Sequence, residues 1–301
     1  MIFDCFAKEL IDYDEINTSP KKKLRYSFQA FMDGLISFPL NIPGTAYHAC
    51  LKGRKNALKV IKDKLIARRK APAKSEKDHD FLDDLLKEVD NEDSILTEEI
   101  AIDMIFVLLF ASHETTSAAV TLAVKFIADH PKVLDELTKE HEAILKSRDD
   151  KNSELTWQEY KSMTFTHMVI NETVRLANIV PGIFRKALKD VEINGYTIPA
   201  GWLVMVVPAV VHLSHGKYED PLEFNPWRWE GKELHAGSKT FMAFGGGVRL
   251  CVGADFAKLQ MAIFIHHMVT KYRWRVTKGG DIIRKPGLIF PNGLHIKIAQ
   301  K

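Results

Sequence analysis

Cysteine is scarce: the 301 residues hold three, Cys5, Cys50 and Cys251. No two of them have the spacing of a metal knuckle or a redox pair. An odd, sparse count points to a reducing compartment, in which at least one thiol has another use. Charge of one sign is lacking as well, and a net charge of +3 is too small to argue for nucleic acid as a partner. Long apolar runs are absent. The most apolar, Met104 to Ala111, falls far short of the roughly 20 residues that span a bilayer. Met1 to Leu10 has no basic start, long apolar stretch or cleavage site of a targeting signal. No internal repeat is present. What is left is ordinary globular composition, 46% hydrophobic and 27% charged, in a chain long enough for one large domain or two smaller ones.

Periodicity predicts helices through the first two thirds. Residues 1–11 read as an amphipathic helix with Phe3, Phe6, Leu10 and Ile11 on one side, so the chain is expected to begin in mid-fold, as an N-terminal truncation. Residues 24–36 form a short apolar helix, punctuated by Pro39, Pro43 and Gly44. Residues 46–70 form a long one, with nine basic residues against one acid, Asp63, over positions 51–70. That stretch reads as a solvated face or as a contact for an anionic membrane or acidic partner. A polar loop over 71–80 and a helix from Phe81 to Val89 come next. Thr97, Glu98 and Glu99 then open a long helix reaching Asp129, with a hydroxyl cap and acids at its positive end. Further helices are expected near 132–146 and 164–177, the latter after the capping-box segment Thr156 to Glu159. Strand signals come late. Val191 to Ile198 alternates around Asn194-Gly195, a hairpin signal, and Trp202 to Val207 reads as a buried strand. Residues 214–247 read as a meandering loop, with a last helix from about Ala254 to Tyr272 and strands near 273–276 and 294–298. The expected fold class is mainly α with a minor β part.

The most informative stretch is Phe244-Gly-Gly-Gly-Val-Arg-Leu-Cys-Val-Gly253. Three consecutive glycines cost backbone entropy unless the chain must turn tightly or be closely approached. Cys251 then stands before the Ala254 helix, where free amides and the positive helix end favour a thiolate. Arg249 adds positive charge. On these residues alone a buried inert thiol and a nucleophile with a distant histidine are open alternatives. Two other segments stand out. Glu172 and Arg175 share a helical face at i, i+3. Ala111-Ser-His-Glu-Thr-Thr-Ser117 interrupts an apolar run with polar side chains. His113-Glu114 has the start of a zinc helix, but position 117 is Ser where the second histidine belongs.

The pattern Phe-x-x-Gly-x-Arg-x-Cys-x-Gly at 244–253 resembles the haem-binding loop of the cytochrome P450 family. The resemblance runs along essentially the whole chain. It implies that Cys251 is the thiolate ligand of haem b (iron protoporphyrin IX) and that glycines such as Gly245 and Gly253 let the loop pass under the porphyrin. Phe244 then packs near the sulfur, and Arg249 and Arg185 meet the propionates. Glu172, Arg175 and Arg228 of the meander match the family's buried network, which supports the cysteine loop. Glu114 and Thr115 fall on the acid and threonine of the oxygen-activation motif, with Ser112 in place of a glycine, and would relay protons to dioxygen. Ile105, Leu108, Leu109, Ala111, Ser112, Val180, Ile183, Phe184 and Phe290 fall on substrate-cavity segments.

The wording Phe-Gly-Gly-Gly-x-Arg-Leu-Cys, with His-Glu-Thr-Thr-Ser and the Asn178 to Arg185 stretch, is similar to the plant microsomal clan oxidising sterols, brassinosteroids and triterpenoids. By this resemblance residues 1–301 form a single domain, the C-terminal part of a cytochrome P450 fold lacking its N-terminal portion. The implied activity is hydroxylation of an apolar small molecule with O2 and electrons from an NADPH-dependent cytochrome reductase. The implied location is the membrane surface on the cytoplasmic face of the endoplasmic reticulum. Missing against the family are a membrane anchor, much of a sheet, the roof of the substrate site and a helix gripping the propionates, so weak haem uptake is expected. Two rivals are a haem-thiolate isomerase or lyase, which Glu114 and Thr115 argue against, and a haem-free remnant without catalysis.

Overall fold

Apolar residues at helical spacing account for most of the architecture. The computed structural model describes residues 2–14, 17–18, 23–71, 80–150, 153–232, 238–284 and 287–301. The chain divides into two compact units, Met1–Glu114 and Thr115–Lys301. The first holds α1 (Ile2–Ile11), α2 (Leu24–Gly34), α3 (Ala46–Lys70), α4 (Phe81–Val89) and the opening turns of α5 (Glu98–Asp129). Its core takes one stripe from each helix: Phe3 and Ile11, Phe28, Ile61 and Leu65, Leu82, then Ile105 and Leu109. In α1 the buried side chains are Phe3, Ala7 and Ile11, while Phe6 and Leu10 sit at its edge.

Two glycines let α2 and α3 lie close. A Cβ at Gly53 would stand 2.5 Å from the Ser27 carbonyl oxygen, and one at Gly34 would stand 2.3 Å from that of Ala46. Thr45 caps α3 by accepting from the His48 amide. The loop expected over 71–80 falls mostly outside the described residues, which omit 72–79. Beyond it Asp80 opens α4 in a capping box with Asp83, and Arg68 of α3 donates to both carboxylates.

The second unit holds the rest of α5, then α6 (Pro131–Lys146), α7 (Trp157–Ser162), α8 (Thr164–Ala177), α9 (Pro208–His212) and α10 (Ala254–Lys271). Among the described residues its strands form four two-stranded antiparallel pairs. β1 (Ile183–Lys186) pairs with β4 (Leu203–Val206), and β2 (Val191–Ile193) with β3 (Tyr196–Ile198). β5 (Tyr272–Gly279) pairs with β8 (Leu294–Gln300), and β6 (Ile283–Arg284) with β7 (Leu288–Ile289). The hairpin turns at Asn194 and Gly195, both at positive φ (51° and 83°), as such a two-residue turn requires.

Three sequence expectations need correction. The capping box of Thr156 and Glu159 serves a separate short helix, α7, because Met163, at ψ 60°, breaks the chain before α8. The strand at 203–206 is not buried: Leu203 and Met205 are exposed and only the alternate valines are covered, since this strand has a single partner and one packed face. Lastly, α5 is long and apolar enough to cross a bilayer by length and composition, although no continuous apolar run of that length exists. A core helix meets the same criterion, and α5 buries Ile105, Leu109, Leu122 and Ile127 in the protein.

Candidate functional site

The loop before α10 is built by its glycines. Gly245 and Gly247 sit at φ 78° and 66°, a region open to glycine at no steric cost. The Cys251 amide donates to the Phe244 carbonyl at 2.9 Å and closes the loop, while the Gly245 amide donates to Met242 at 3.0 Å. Gly245 is buried, and a Cβ there would meet Ile183 Cδ1 of β1 at 3.6 Å; at Gly253 a Cβ would meet nothing within 4 Å. The packing thus joins β1, with Ile183, Phe184 and Arg185, to the cysteine loop. Cys251 is exposed, and so are its aliphatic neighbours Val248, Leu250 and Val252. Phe244 is half-buried, with Lys258 Nζ 5.5 Å above its ring.

The donor set decides what could sit here. Among the described residues no three His, Cys, Asp or Glu side chains are placed to hold a metal ion. One sulfur therefore suits an ion that brings its other ligands with it. Open space at Gly253 and the uncovered aliphatic tips suit a flat, apolar carrier of that ion. Arg249 and Arg185 are exposed. Arg185 donates to the Phe184 carbonyl at 2.8 Å, and neither arginine has a carboxylate partner among the described residues, so both are free to meet acidic groups on such a carrier. An iron porphyrin with propionates fits this set.

Behind the loop lies a buried polar network. Glu172 and Arg175 are wholly buried. The Glu172 carboxylate accepts from Arg175 Nε and Nη2, each at 2.8 Å, and from Arg228 Nε at 2.8 Å. It also accepts from the Asn225 amide at 3.0 Å and Trp229 Nε1 at 2.9 Å. Arg175 Nη1 donates to the carbonyls of His212 (2.6 Å) and Pro221 (2.7 Å). His212 Nε2 accepts from the Met242 amide at 2.9 Å, so its proton is on Nδ1, which donates to Asn178 Oδ1 at 2.8 Å. Burial first, and the nearby Arg175 charge second, hold His212 at about 4, hence neutral. Met242 carries the contact on to Gly245 and the cysteine loop. Sequence reasoning reached Glu172, Arg175 and Arg228 but missed Trp229, His212 and Asn178. Trp229 was adjacent to a flagged arginine, whereas a lone His and Asn carry no spacing signal.

Glu114 and Thr115 are half-buried on α5, and Glu114 Oε1 lies 3.4 Å from His113 Nδ1. Ser112 Oγ donates to the Leu109 carbonyl at 3.2 Å. Leu108 is half-buried and Ala111 exposed on the same side of the helix as Thr115. Ile105 and Leu109, expected on a substrate cavity, are instead wholly buried in the core of the first unit, because the opposite stripe of α5 supplies that core. Val180 and Phe184 are exposed and Ile183 half-buried. Phe290 packs on a cluster of Ala118, Leu122, Ala177 and Leu288.

The chain is similar to known proteins along nearly its whole length. The family model for Cytochrome P450 matches residues 3–296. Cytochrome P450 87A3 of Oryza sativa subsp. japonica is 60% identical over 302 residues, covering 100% of this chain and 58% of the relative. Beta-amyrin 16-alpha-hydroxylase of Maesa lanceolata is 46% identical over 271 residues, 90% of this chain and 56% of the relative. The structure of a retinoic acid-bound cyanobacterial CYP120A1 superposes with a TM-score of 0.86 at 27% identity, covering 100% of this chain and 67% of that one. The chain thus spans a little over half the length of these two curated relatives.

Proposed function

Because the chain belongs to the cytochrome P450 family, we propose that it supplies the thiolate side of a haem b monooxygenase acting on an apolar small molecule of sterol, brassinosteroid or triterpenoid type. Haem b is the family's cofactor. When bound, it activates O2 with two electrons and two protons, so that one oxygen atom enters a C–H bond and the other leaves as water. Cys251 would hold the iron through its sulfur, and Phe244 would shield that sulfur from water. Arg249 and Arg185 would bind the ring's carboxylates, and Val248, Leu250 and Val252 would cover its apolar face. Glu114 and Thr115, half-buried on α5, would hold and pass protons to the dioxygen. Val180, Ile183, Phe184, Leu108, Ala111, Ser112 and Phe290 would face substrate. The observation that carries the reading is the exposed Cys251 on a glycine loop closed by its own amide.

The triterpenoid-hydroxylase relative supports the substrate class. Electrons would come from an NADPH-dependent reductase. A membrane surface of the endoplasmic reticulum suits the first unit, where Ile36, Phe38 and Ile42 are exposed between α2 and α3. Lys52, Lys55, Lys59 and Lys62 line the outward side of α3, complementary to anionic headgroups.

The test is the spectrum of the reduced, carbon monoxide-treated protein. The red-shifted Soret band of a thiolate haem is expected for the wild type and for Thr115→Ala, and its loss for Cys251→Ser. Cys251→Ser with an unaltered band overturns the ligand assignment. Wild type without haem absorbance favours a non-catalytic remnant.

A further inference from the structure

The C-terminal end of α8 leaves carbonyls that an α-helix cannot satisfy itself. Asn178, at φ 40°, stops the helix in the left-handed conformation. Its amide donates to the Val174 carbonyl at 3.3 Å and its Nδ2 to that of Arg175 at 2.8 Å. The carbonyls of Ala177 and Asn178 go to a distant residue. Arg284 Nη2 donates to Ala177 O at 2.5 Å and Nη1 to Asn178 O at 2.6 Å. Ala177 and Asn178 are buried, and Arg284 has no carboxylate partner among the described residues. Its charge is set against the negative end of the helix, and desolvation pulls its pKa below the usual arginine value.

Arg284 lies on β6, in register with Leu288 of β7. Leu288 is buried against Ala118, Leu122 and Ala177, with Ile179 and Phe290 packed on the same cluster. One guanidinium therefore ties the strand pair that leads to Phe290 to the helix end that leads into Ile179 and Val180.

We propose that Arg284 is a positioning residue that locks two walls of the substrate cavity, Ile179–Ile183 and Leu288–Phe290, into one rigid body. The inference rests on the reading of Val180, Ile183 and Phe290 as cavity residues. A carboxylate partner would have pulled the arginine to one side chain. Two backbone carbonyls instead fix the spacing between main chains. The fork geometry also distinguishes arginine from lysine, whose single ammonium cannot hold both carbonyls with the same planarity.

Hydrogen exchange followed by mass spectrometry tests this on the purified chain. In Arg284→Met, peptides covering 179–183 and 288–290 should lose protection together, by about tenfold in rate, with Arg284→Lys intermediate. Peptides over the middle of α8 and over α6 should keep theirs. Loss in only one segment, or in neither, overturns the proposal, and loss throughout the second unit reduces Arg284 to a general stabiliser. A second arm uses haem-ligating probes. Imidazole, too small to touch the walls, should bind wild type and variant alike, whereas the bulky azole clotrimazole should bind Arg284→Met about tenfold more weakly. Equal clotrimazole affinity overturns the claim on cavity shape. Absence of any haem band sinks the haem reading and leaves the exchange arm standing as the test of the clamp.

Discussion

Glu172 is one carboxylate holding five donors, two of them on Arg175 and one each on Arg228, Trp229 and the Asn225 backbone. Its neutral isostere would leave two arginines short of their counter-ion in a buried site. Glu172→Gln is therefore expected to cost about 3–5 kcal/mol, read from urea unfolding. Trp229→Phe keeps an aromatic ring but loses the N–H to a charged acceptor and the pyrrole half of a buried indole, at about 2–3 kcal/mol. Equal losses from both variants would show that charge is not what the site is built on. The two arginines and the glutamate could be found in the sequence because their spacing follows a family pattern. The rest could not. The partners of Arg175 beyond Glu172 are backbone carbonyls of His212 and Pro221, and a carbonyl leaves no mark on residue type. Similarly, the polar break at 111–117 pointed to one side of α5 but not to which apolar neighbours turn inward, so Ile105 and Leu109 were misplaced.

Helix ends were the least legible part of the fold, because the groups that satisfy them come from far along the chain. The first-turn amides of α8 are held by Glu140 of α6: Phe165 N at 2.6 Å and Thr166 N at 3.0 Å. Ser162 and Thr164 flank that start without capping it, since the N-cap position is Met163, and the nearest capping box belongs to α7. Thr156→Ala should cost about 1 kcal/mol. Glu140→Ala should cost more, since it also strands the Thr166 hydroxyl, which donates to Glu140 at 2.5 Å. Unfolding midpoints in the reverse order would refute this ranking. Glycines make a sharper contrast. Gly53→Ala should gain up to about 1 kcal/mol of helix propensity, yet its new methyl would stand 2.5 Å from backbone oxygen. Forcing α2 from α3 costs about 1–3 kcal/mol, so net destabilisation is expected in thermal unfolding. Gly253→Ala meets open space and should leave the melting temperature within a degree or two, while haem titration should show weakened uptake.

Across the whole second unit, α6, α8 and α10 share a directed hydrogen-bond chain. Thr166 gives its proton to Glu140, so its oxygen accepts from His141 Nε2 at 3.0 Å. His141 Nδ1 is then bare and accepts from His266 Nδ1 at 3.0 Å. Both imidazoles are neutral. Burial, then the cost of a second charge beside His266, holds His141 at about 3. Burial, then His267 and Arg148, holds His266 at about 4, against a smaller opposing pull from Glu159. The unfolded chain protonates these groups near 6.5, so as pH falls below that value the unfolded state gains protons the fold refuses. Stability should fall progressively from about pH 6.5 toward pH 4, by on the order of 2–3 kcal/mol per histidine. Melting temperatures across that range check it, and His266→Gln should flatten the slope. An unchanged slope would place the acid sensitivity elsewhere, with His212 the next group to replace. The fold class itself was legible, since long periodic helices dominate it. The small sheets were half legible: β2 and β3 announced themselves by Asn194-Gly195, whereas β6 and β7 are two-residue strands with no pattern to read.

The bond from the Cys251 amide to the Phe244 carbonyl uses backbone alone, so no substitution within the loop except proline at 251 removes it directly. The loop's shape is thus held by main-chain atoms, and exchanging its side chains changes what the loop touches before it changes the loop itself.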